Sequence, residues 1–254
     1  MSELRWQLDG LAFDVLLEAV GRDRWPYPLS FLPPFMECHD DWEYARKLAA
    51  ERVQGVFDER LYRAMVVLLE PQVRIEIHGF HGPQLSQVVR IHAGIVDRDA
   101  VVAVQQPGPD PQHGRDVVLT MGSARLLPSE IVAKLPRCQG GSHPPFGARR
   151  SDLAETDYTG YSMRPSPGQQ LNRFFRRPRT SLGEITVYPS IAYDARPTKD
   201  GQAFHWLDYP DDGRYLLVNH NDDDLSVTPG ATDELLRQLQ YRIEACQRSR
   251  TNAW

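Results

Sequence analysis

The stretch Gly213–Ile243 constrains the fold most, because it carries two strand patterns and a helix pattern in immediate succession. Residues 214–219 present two different faces at period two, which predicts a half-buried antiparallel strand. An acidic turn at 221–224 leads to a second short strand, Leu225–Val227. Thr228–Pro229 then predicts the start of a helix, since threonine caps free N–H groups and proline lacks the N–H that would be unsatisfied there. The apolar stripe of this helix consists of Leu235, Leu236, Leu239 and Ile243.

The same order of elements occurs earlier in the chain. A strand over Val101–Gln106, a Gly/Pro-rich loop and a returning strand over Asp116–Met121 precede a helix that Pro128 opens. A further pair of strands precedes each copy: Val73–Ile77 with Val88–Ala93, and Glu184–Ala192 with Ala203–Tyr209. This internal repeat of supersecondary order predicts two similar halves that share one sheet.

The N-terminal region adds one strand and three helices. Alternation over Leu4–Leu8 predicts the strand, and Asp9 caps the first helix. Asp40 with Glu43 resembles a capping box at the second helix, and Asp58 caps the third. We therefore expect an α+β fold of antiparallel strands, with helices packed on one side of the sheet and at its ends.

The charge distribution suggests how the chain is divided. Residues 137–182 contain eight arginines and three acidic residues, although the whole chain has a net charge of -5. We expect a single domain of two similar halves, about 1–136 and 183–254, joined by this Pro/Arg-rich segment. Within the segment, short helices are predicted at Asp152–Thr156 and Pro167–Arg177.

Composition excludes several classes of protein. The chain is 41% hydrophobic and 25% charged, and its apolar runs fall short of the ~20 residues that a membrane-spanning helix needs. No secretory signal pattern is visible at the N-terminus, so we expect a cytoplasmic protein without membrane insertion. Cys38, Cys138 and Cys246 are widely separated and odd in number, which argues against a disulfide framework and a zinc site.

The usual catalytic and cofactor motifs are missing from the sequence. No GxGxxG, P-loop, GxSxG or HExxH pattern occurs, so we expect no enzyme activity, no cofactor and no metal. His78, His81 and His92 could suggest a metal-dependent hydrolase, but strand alternation favours solvent-facing histidines. The acidic run Asp222–Asp224 lacks the spaced ligands of a calcium loop and favours a solvated hairpin turn.

A second alternative is nucleic-acid binding through Arg173–Arg179. Phe174 and Phe175 lie between these arginines, and such segments can bind phosphates and stack on bases. An amphipathic helix with buried phenylalanines explains the pattern better, since an acidic chain with a pI near 5.9 repels polyanions elsewhere. We expect no nucleic-acid partner.

One face of the predicted sheet is polar and aromatic, which suits protein recognition better than catalysis. Alternation places it opposite an apolar face made of Val73, Ile75, Ile77, Val89, Ile91, Ile185 and Val187. We predict that a partner binds this polar face together with the outer face of the last helix. The predicted binding residues are Arg74, Glu76, His78, Arg90, His92, Thr186, Tyr188, Arg237 and Tyr241.

Four short motifs carry a family resemblance. They are Leu11–Leu16, Gly55–Asp58, Asp208 followed by Gly213–Tyr215, and Thr228–Gly230 before the leucine-striped helix. In this order they resemble the EspG family, the cytosolic chaperones of type VII (ESX) secretion in mycobacteria and related actinobacteria. The resemblance implies a quasi-two-fold fold with a central antiparallel sheet and flanking helical bundles. It also implies a monomer or weak homodimer that binds the PPE tip of a PE–PPE heterodimer, keeps it soluble and directs it to one secretion system.

Overall fold

The computed structural model describes residues 3–33, 35–154, 167–192 and 198–251. In these ranges ten strands form one antiparallel sheet with seven α-helices around it, which confirms the α+β class. The strands are β1 (Leu4–Leu8), β2 (Val73–His81), β3 (Gln87–Val96), β4 (Asp99–Pro107), β5 (Gly114–Ser123), β6 (Phe146–Arg149), β7 (Ser181–Tyr188), β8 (Gln202–Tyr209), β9 (Gly213–Asn219) and β10 (Asp224–Pro229). The helices are α1 (Gly10–Ala19), α2 (His39–Val56), α3 (Glu59–Leu69), α4 (Leu127–Lys134), α5 (Arg150–Ala154), α6 (Pro167–Phe175) and α7 (Thr232–Thr251). No helix in the described ranges is long and apolar enough to cross a membrane.

The strand order, β1-β5-β4-β3-β2-β7-β8-β9-β10-β6, shows how the internal repeat is used. β2 and β7 pair at the centre of the sheet, with Ile77 opposite Ile185. From each of them the chain runs outward through four consecutive strands and then enters a helix, α4 or α7. β1 closes one edge by pairing with β5, and β6 closes the other by pairing with β10. The repeat therefore builds one continuous sheet around the β2–β7 pair.

One face of the sheet, here called the α7 face, carries the largest apolar core. Its strand residues are Val73, Ile75, Ile77, Val89, Ile91, Ile185 and Val187, all of them buried. α4 and α7 cover these side chains with Ile131, Leu239 and Ile243. Burying a side chain of this size stabilises the fold by about 1.5–3 kcal/mol. The apolar face that alternation predicts is confirmed.

The opposite face, here called the groove face, carries helices at both ends. α1 and α3 pack over β4 and β5 through residues such as Phe13, Leu61 and Leu119. α6 packs over β8–β10, where Phe174 contacts Tyr209 and Tyr215. The expectation of helices on one side only is wrong, because β4, β5 and β8–β10 carry apolar residues on this face too. The strip between the two helix groups lies on β3, β2 and β7.

Of the four predicted helix N-caps, two are correct and two are wrong. Asp9 and Asp58 accept hydrogen bonds from the backbone N–H groups three residues later, as predicted. The helix expected at Thr228–Pro229 begins at Thr232, because Pro229 is still paired with Tyr215 in the sheet. The second helix begins at His39, so Asp40 lies inside its first turn and is no cap.

The Pro/Arg-rich segment 137–182 contributes to the sheet. β6 comes from this segment and pairs with β10, with Phe146 opposite Val227. The helix predicted over Pro167–Arg177 is α6 and ends at Phe175. The other predicted helix corresponds to α5, and its expected end at Thr156 lies outside the described residues. The strand was not predicted, and the division of the chain at 136 and 183 stays a prediction.

Candidate partner-binding surface

Strand register gathers most of the predicted binding residues in one place on the groove face. Glu76 lies opposite His92 on β3 and Thr186 on β7. His78 in turn lies opposite Arg90 and Glu184. We call the resulting set the central stripe: Arg74, Glu76, His78, Arg90, His92, Glu184, Thr186, Tyr188 and, on β8, His205. Directly opposite residues share one face of a sheet, so these side chains form a single polar surface.

The central stripe is much less exposed than alternation predicts. Arg74, Arg90, His92 and Thr186 expose only 4%, 5%, 3% and 6% of their surface. Glu76, His78 and Tyr188 are half-buried. The prediction of an open polar face is therefore wrong for Arg74, Arg90, His92 and Thr186. Solvent reaches mainly Glu76, His78, Glu184 and Tyr188 on β2 and β7.

The cover is a loop between α1 and α2, here called the strap (residues 21–33). The indole N–H of Trp25 donates to Asp14 at 2.7 Å, and Phe31 stacks on the Trp25 ring with 5.4 Å between ring centroids. The Gln105 side chain, itself buried, holds the strap to β4 through both backbone groups of Ser30, at 2.9 and 2.7 Å. These contacts fix the strap across the α1–α3 end of the stripe.

Tyr27 joins the strap to the centre of the stripe. Its backbone carbonyl lies 2.6 Å from Nδ1 of His92, and its ring lies 5.9 Å from the His78 ring. The Tyr27 side chain is 58% exposed. Tyr27 therefore presents an aromatic ring to solvent beside the polar floor, and sequence reasoning missed it because the strap has no periodic pattern.

Arg74, Glu76 and Tyr188 form a compact charged group on β2 and β7. Nε of Arg74 lies 2.9 Å from Oε1 of Glu76, although the angle is not that of a hydrogen bond. The Arg74 guanidinium lies over the Tyr188 ring, 4.2 Å from its centroid. Burial raises the pKa of Glu76, with Arg74 acting in the opposite direction. Burial and the nearby Glu76 raise the pKa of Tyr188 to about 12.

The histidines of the stripe are held in different ways. Burial lowers the pKa of His92 to about 4, while the nearby backbone carbonyls of Tyr27 and Leu68 act in the opposite direction. Burial and Arg90 lower the pKa of His78. His205 lies 2.9 Å from Glu184, and this hydrogen bond lowers the pKa of the Glu184 carboxyl. His92 and His78 are therefore neutral at pH 7.

Glu184 could have been found from the sequence, whereas His205 could not. Glu184 precedes Thr186 by two residues on β7, so strand alternation places both on the same face. His205 lies opposite Glu184 in the β7–β8 register. The register, which the sequence alone does not give, was the missing step for His205.

Arg237 and Tyr241 do not join the central stripe. They lie on α7, whose Leu235, Leu239 and Ile243 pack into the core of the α7 face. The sheet therefore separates them from the central stripe. The predicted set combines residues from two opposite faces of the sheet.

The segment Arg173–Arg179 has the features of an amphipathic helix with buried phenylalanines, not those of a nucleic-acid-binding segment. Phe174 is buried, and its ring lies 5.1 Å from that of Phe146. Arg177 lies over the Tyr209 ring at 4.1 Å and binds Asp212 at 2.8 Å. Phe174 is thus not available for stacking on bases, and the nucleic-acid alternative is not supported.

The described part of the chain contains no site for the metal ion that a metal-dependent hydrolase would need. No group of three or more His, Cys, Asp or Glu residues there is arranged to hold a metal ion. The acidic run belongs to a hairpin turn, where the Asn221 side chain accepts from the backbone N–H groups of Asp223 and Asp224. This is the turn that the sequence favours.

The comparisons with known proteins agree with this fold. The model of the EspG family matches residues 9–241. Among solved structures, the chain is similar to the Mycobacterium tuberculosis type VII secretion system chaperone EspG5 in complex with the PE25–PPE41 dimer. That likeness has a TM-score of 0.62 at 11% sequence identity and covers 95% of this chain and 96% of the other. No curated protein matches this chain.

Proposed function

This chain belongs to the EspG family, and from that premise we propose that it is a non-enzymatic chaperone of type VII secretion. It binds the PPE tip of a PE–PPE heterodimer in the cytoplasm, keeps that end soluble and directs the pair to one secretion system. The family match over residues 9–241 carries the proposal. The shared fold with EspG5, which was solved with a PE–PPE dimer, supports it.

We place the partner in the groove between the α1–α3 end and α6. The floor there is the half-buried part of the central stripe, Glu76, His78 and Tyr188. Tyr27 on the strap borders this floor, with its ring 5.9 Å from that of His78. Leu32 and Phe35, which follow in the chain, are also exposed apolar side chains. Aromatic anchors beside polar groups are typical of the energetic centre of protein interfaces. The strand residues of the predicted set stay in this proposal, whereas Arg237 and Tyr241 leave it because they lie on the α7 face.

The groove charges also favour binding over catalysis. Arg74 lies against Glu76, Glu184 against His205, and Arg90 donates to the backbone carbonyl of Pro111, so the charged groups near the floor already have partners within the chain. A general base or nucleophile needs a group free to react with substrate. Paired groups of this kind instead give a polar surface with a fixed shape and pattern of donors and acceptors.

Two exposed tyrosines provide a matched test of the surface. Tyr27, 58% exposed, lies in the groove, and Tyr241, 61% exposed, lies on α7. We expect Tyr27→Ala and Tyr188→Ala each to weaken binding of a PE–PPE heterodimer by about 1–2 kcal/mol, or roughly 5- to 30-fold. Tyr241→Ala should bind like the wild type. Truncation of Tyr27 leaves the backbone carbonyl that faces His92, so the strap contact is kept.

The measurement is co-expression with PE–PPE pairs of the same genome, pull-down, and titration calorimetry on the pair that is retained. Thermal melts of each variant check that the fold is intact. If no PE–PPE pair is retained by the wild type, the proposed function is wrong. If Tyr241→Ala weakens binding and the groove variants do not, the partner occupies the α7 face.

A further inference from the structure

Exposed charges of opposite sign lie at the start of α2 and at α6, in the two helix groups that flank the groove. On the α1–α3 side, the start of α2 exposes Glu37, Asp40, Asp41 and Glu43 within seven residues. The one imidazole among them, on His39, lies 3.2 Å from Glu43. Residues 1–72 as a whole contain thirteen acidic and eight basic side chains. The start of α2, in the α1–α3 helix group, is therefore acidic.

On the other side, α6 presents arginines. Arg177 is engaged by Asp212, and Arg179 donates to the backbone carbonyl of Phe175. Arg173 on the helix and Arg176 just after its end are instead exposed, while Phe174 between them is buried. The helix is thus anchored by its aromatic residue, and the two cationic side chains are exposed to solvent.

Strand order separates these two charged sides. The α1–α3 core lies over β4 and β5, and the α6 core lies over β8–β10. Four strand spacings separate β4 from β8, which is roughly 19 Å at about 4.8 Å per spacing. This spacing of the two helix groups exceeds the Debye length of about 8 Å at physiological salt, so exposed charges on one group are largely screened from those on the other.

We propose that this charge polarity orients the partner in the groove and selects partners whose docking surface has the opposite polarity. The inference rests on the proposed function and names the chemistry of its partner: a PE–PPE heterodimer with acidic side chains facing α6 and basic side chains facing the start of α2. Exposed charges at the rim of an interface act mainly on the association rate and on partner choice. The apolar and aromatic residues nearer the floor supply the affinity.

A polarity-inverting variant tests the proposal, with a PE–PPE pair that the wild type binds. Arg173→Glu with Arg176→Glu makes the α6 side acidic, and Asp40→Lys with Asp41→Lys cancels the negative charge at the start of α2. Each pair of changes should slow association at low salt about tenfold, by stopped-flow or surface plasmon resonance. Arg125→Glu with Lys134→Glu, on exposed residues at α4 on the α7 face, is the matched control and should associate like the wild type.

The variant with all four changes shows whether the association rate depends on charge polarity or on net charge. They restore the wild-type net charge but invert the polarity, so we expect the slowest association of all, with the difference shrinking as salt rises to about 0.5 M. Association of this variant at the wild-type rate overturns the proposal. Loss of wild-type binding to every PE–PPE pair overturns the proposed function instead, so the two failures are distinct.

Discussion

His92 is the residue whose environment departs most from its sequence pattern. Alternation on β3 places it on a polar face, yet the strap and α3 enclose it completely. Its ring nitrogens face the backbone carbonyls of Tyr27 and Leu68, and Arg74 adds a repulsive positive charge. The folded protein therefore keeps this imidazole neutral, while the unfolded chain protonates it at its ordinary pKa of about 6.5.

This difference predicts how stability depends on pH. The pKa of His92 is about 4 in the folded state, so between pH 4 and pH 6.5 the unfolded chain binds more protons and stability falls as the pH falls. His92→Gln should remove roughly 3 kcal/mol of this loss between pH 7 and pH 4. Urea unfolding at a series of pH values measures it, with His39→Gln on an exposed histidine as the control. Identical pH slopes for His92→Gln and the wild type would contradict the burial argument.

The residues of the stripe also show what periodicity can predict. The alternation of Val73, Ile75 and Ile77 with polar residues assigns the two faces of β2 correctly, because side chains must alternate along a strand. It says nothing about a loop distant in sequence that folds over one face. His92 contacts the strap at the Tyr27 carbonyl, and Arg90 donates to the Pro111 carbonyl in the loop between β4 and β5. Both covering segments are irregular and have no periodic pattern to detect.

Among the elements, the β2–β7 pair depends on two glycines that face each other. Gly79 lies opposite Gly183, and the Trp206 ring packs across both on the α7 face. A Cβ at Gly183 would lie 2.1 Å from the Trp206 ring and 2.6 Å from the His78 carbonyl oxygen. The indole N–H of Trp206 donates to Ser181 at 2.8 Å, which fixes the ring in place.

Gly183→Ala should therefore destabilise the protein by about 1–3 kcal/mol or more, since neither the ring nor the backbone can move away freely. Gly147→Ala on the edge strand β6 is the matched control, because its nearest neighbour would be 3.8 Å away. Chemical denaturation of both variants gives the comparison. Equal stability of the two would show that Trp206 can move aside.

The elements that could not be predicted from the sequence have weak local sequence patterns. β6 is four residues long, contains Gly147, and follows two prolines in a segment whose arginine content is typical of a linker. Its pairing with β10 is a long-range contact that short patterns do not reveal. Long-range pairing also explains why α7 begins later than predicted. Pro229 remains in β10, and the Gly230 N–H still donates to the backbone carbonyl of Arg214 at 2.7 Å.

At the scale of the whole molecule, β6 suggests a different boundary between the halves. β6 pairs with β10 at one edge as β1 pairs with β5 at the other, and each edge strand is followed by helices on the groove face. We propose that the second half begins near residue 137, so that the Pro/Arg-rich segment is its opening part. The segment has little sequence likeness to residues 1–72, and only the topology relates the two.

The halves are nevertheless too closely joined to fold separately. The core of the α7 face combines Val73 and Ile75 from the first half with Ile185, Val187 and Leu239 from the second. Separating the halves would expose this core and leave an edge of β2 unpaired. We expect one cooperative unfolding transition, with equal calorimetric and van't Hoff enthalpies, and no cooperative melting of a 1–136 fragment. Two resolved transitions, or a fragment that melts like a folded domain, would contradict the shared core and make the groove a boundary between independent units.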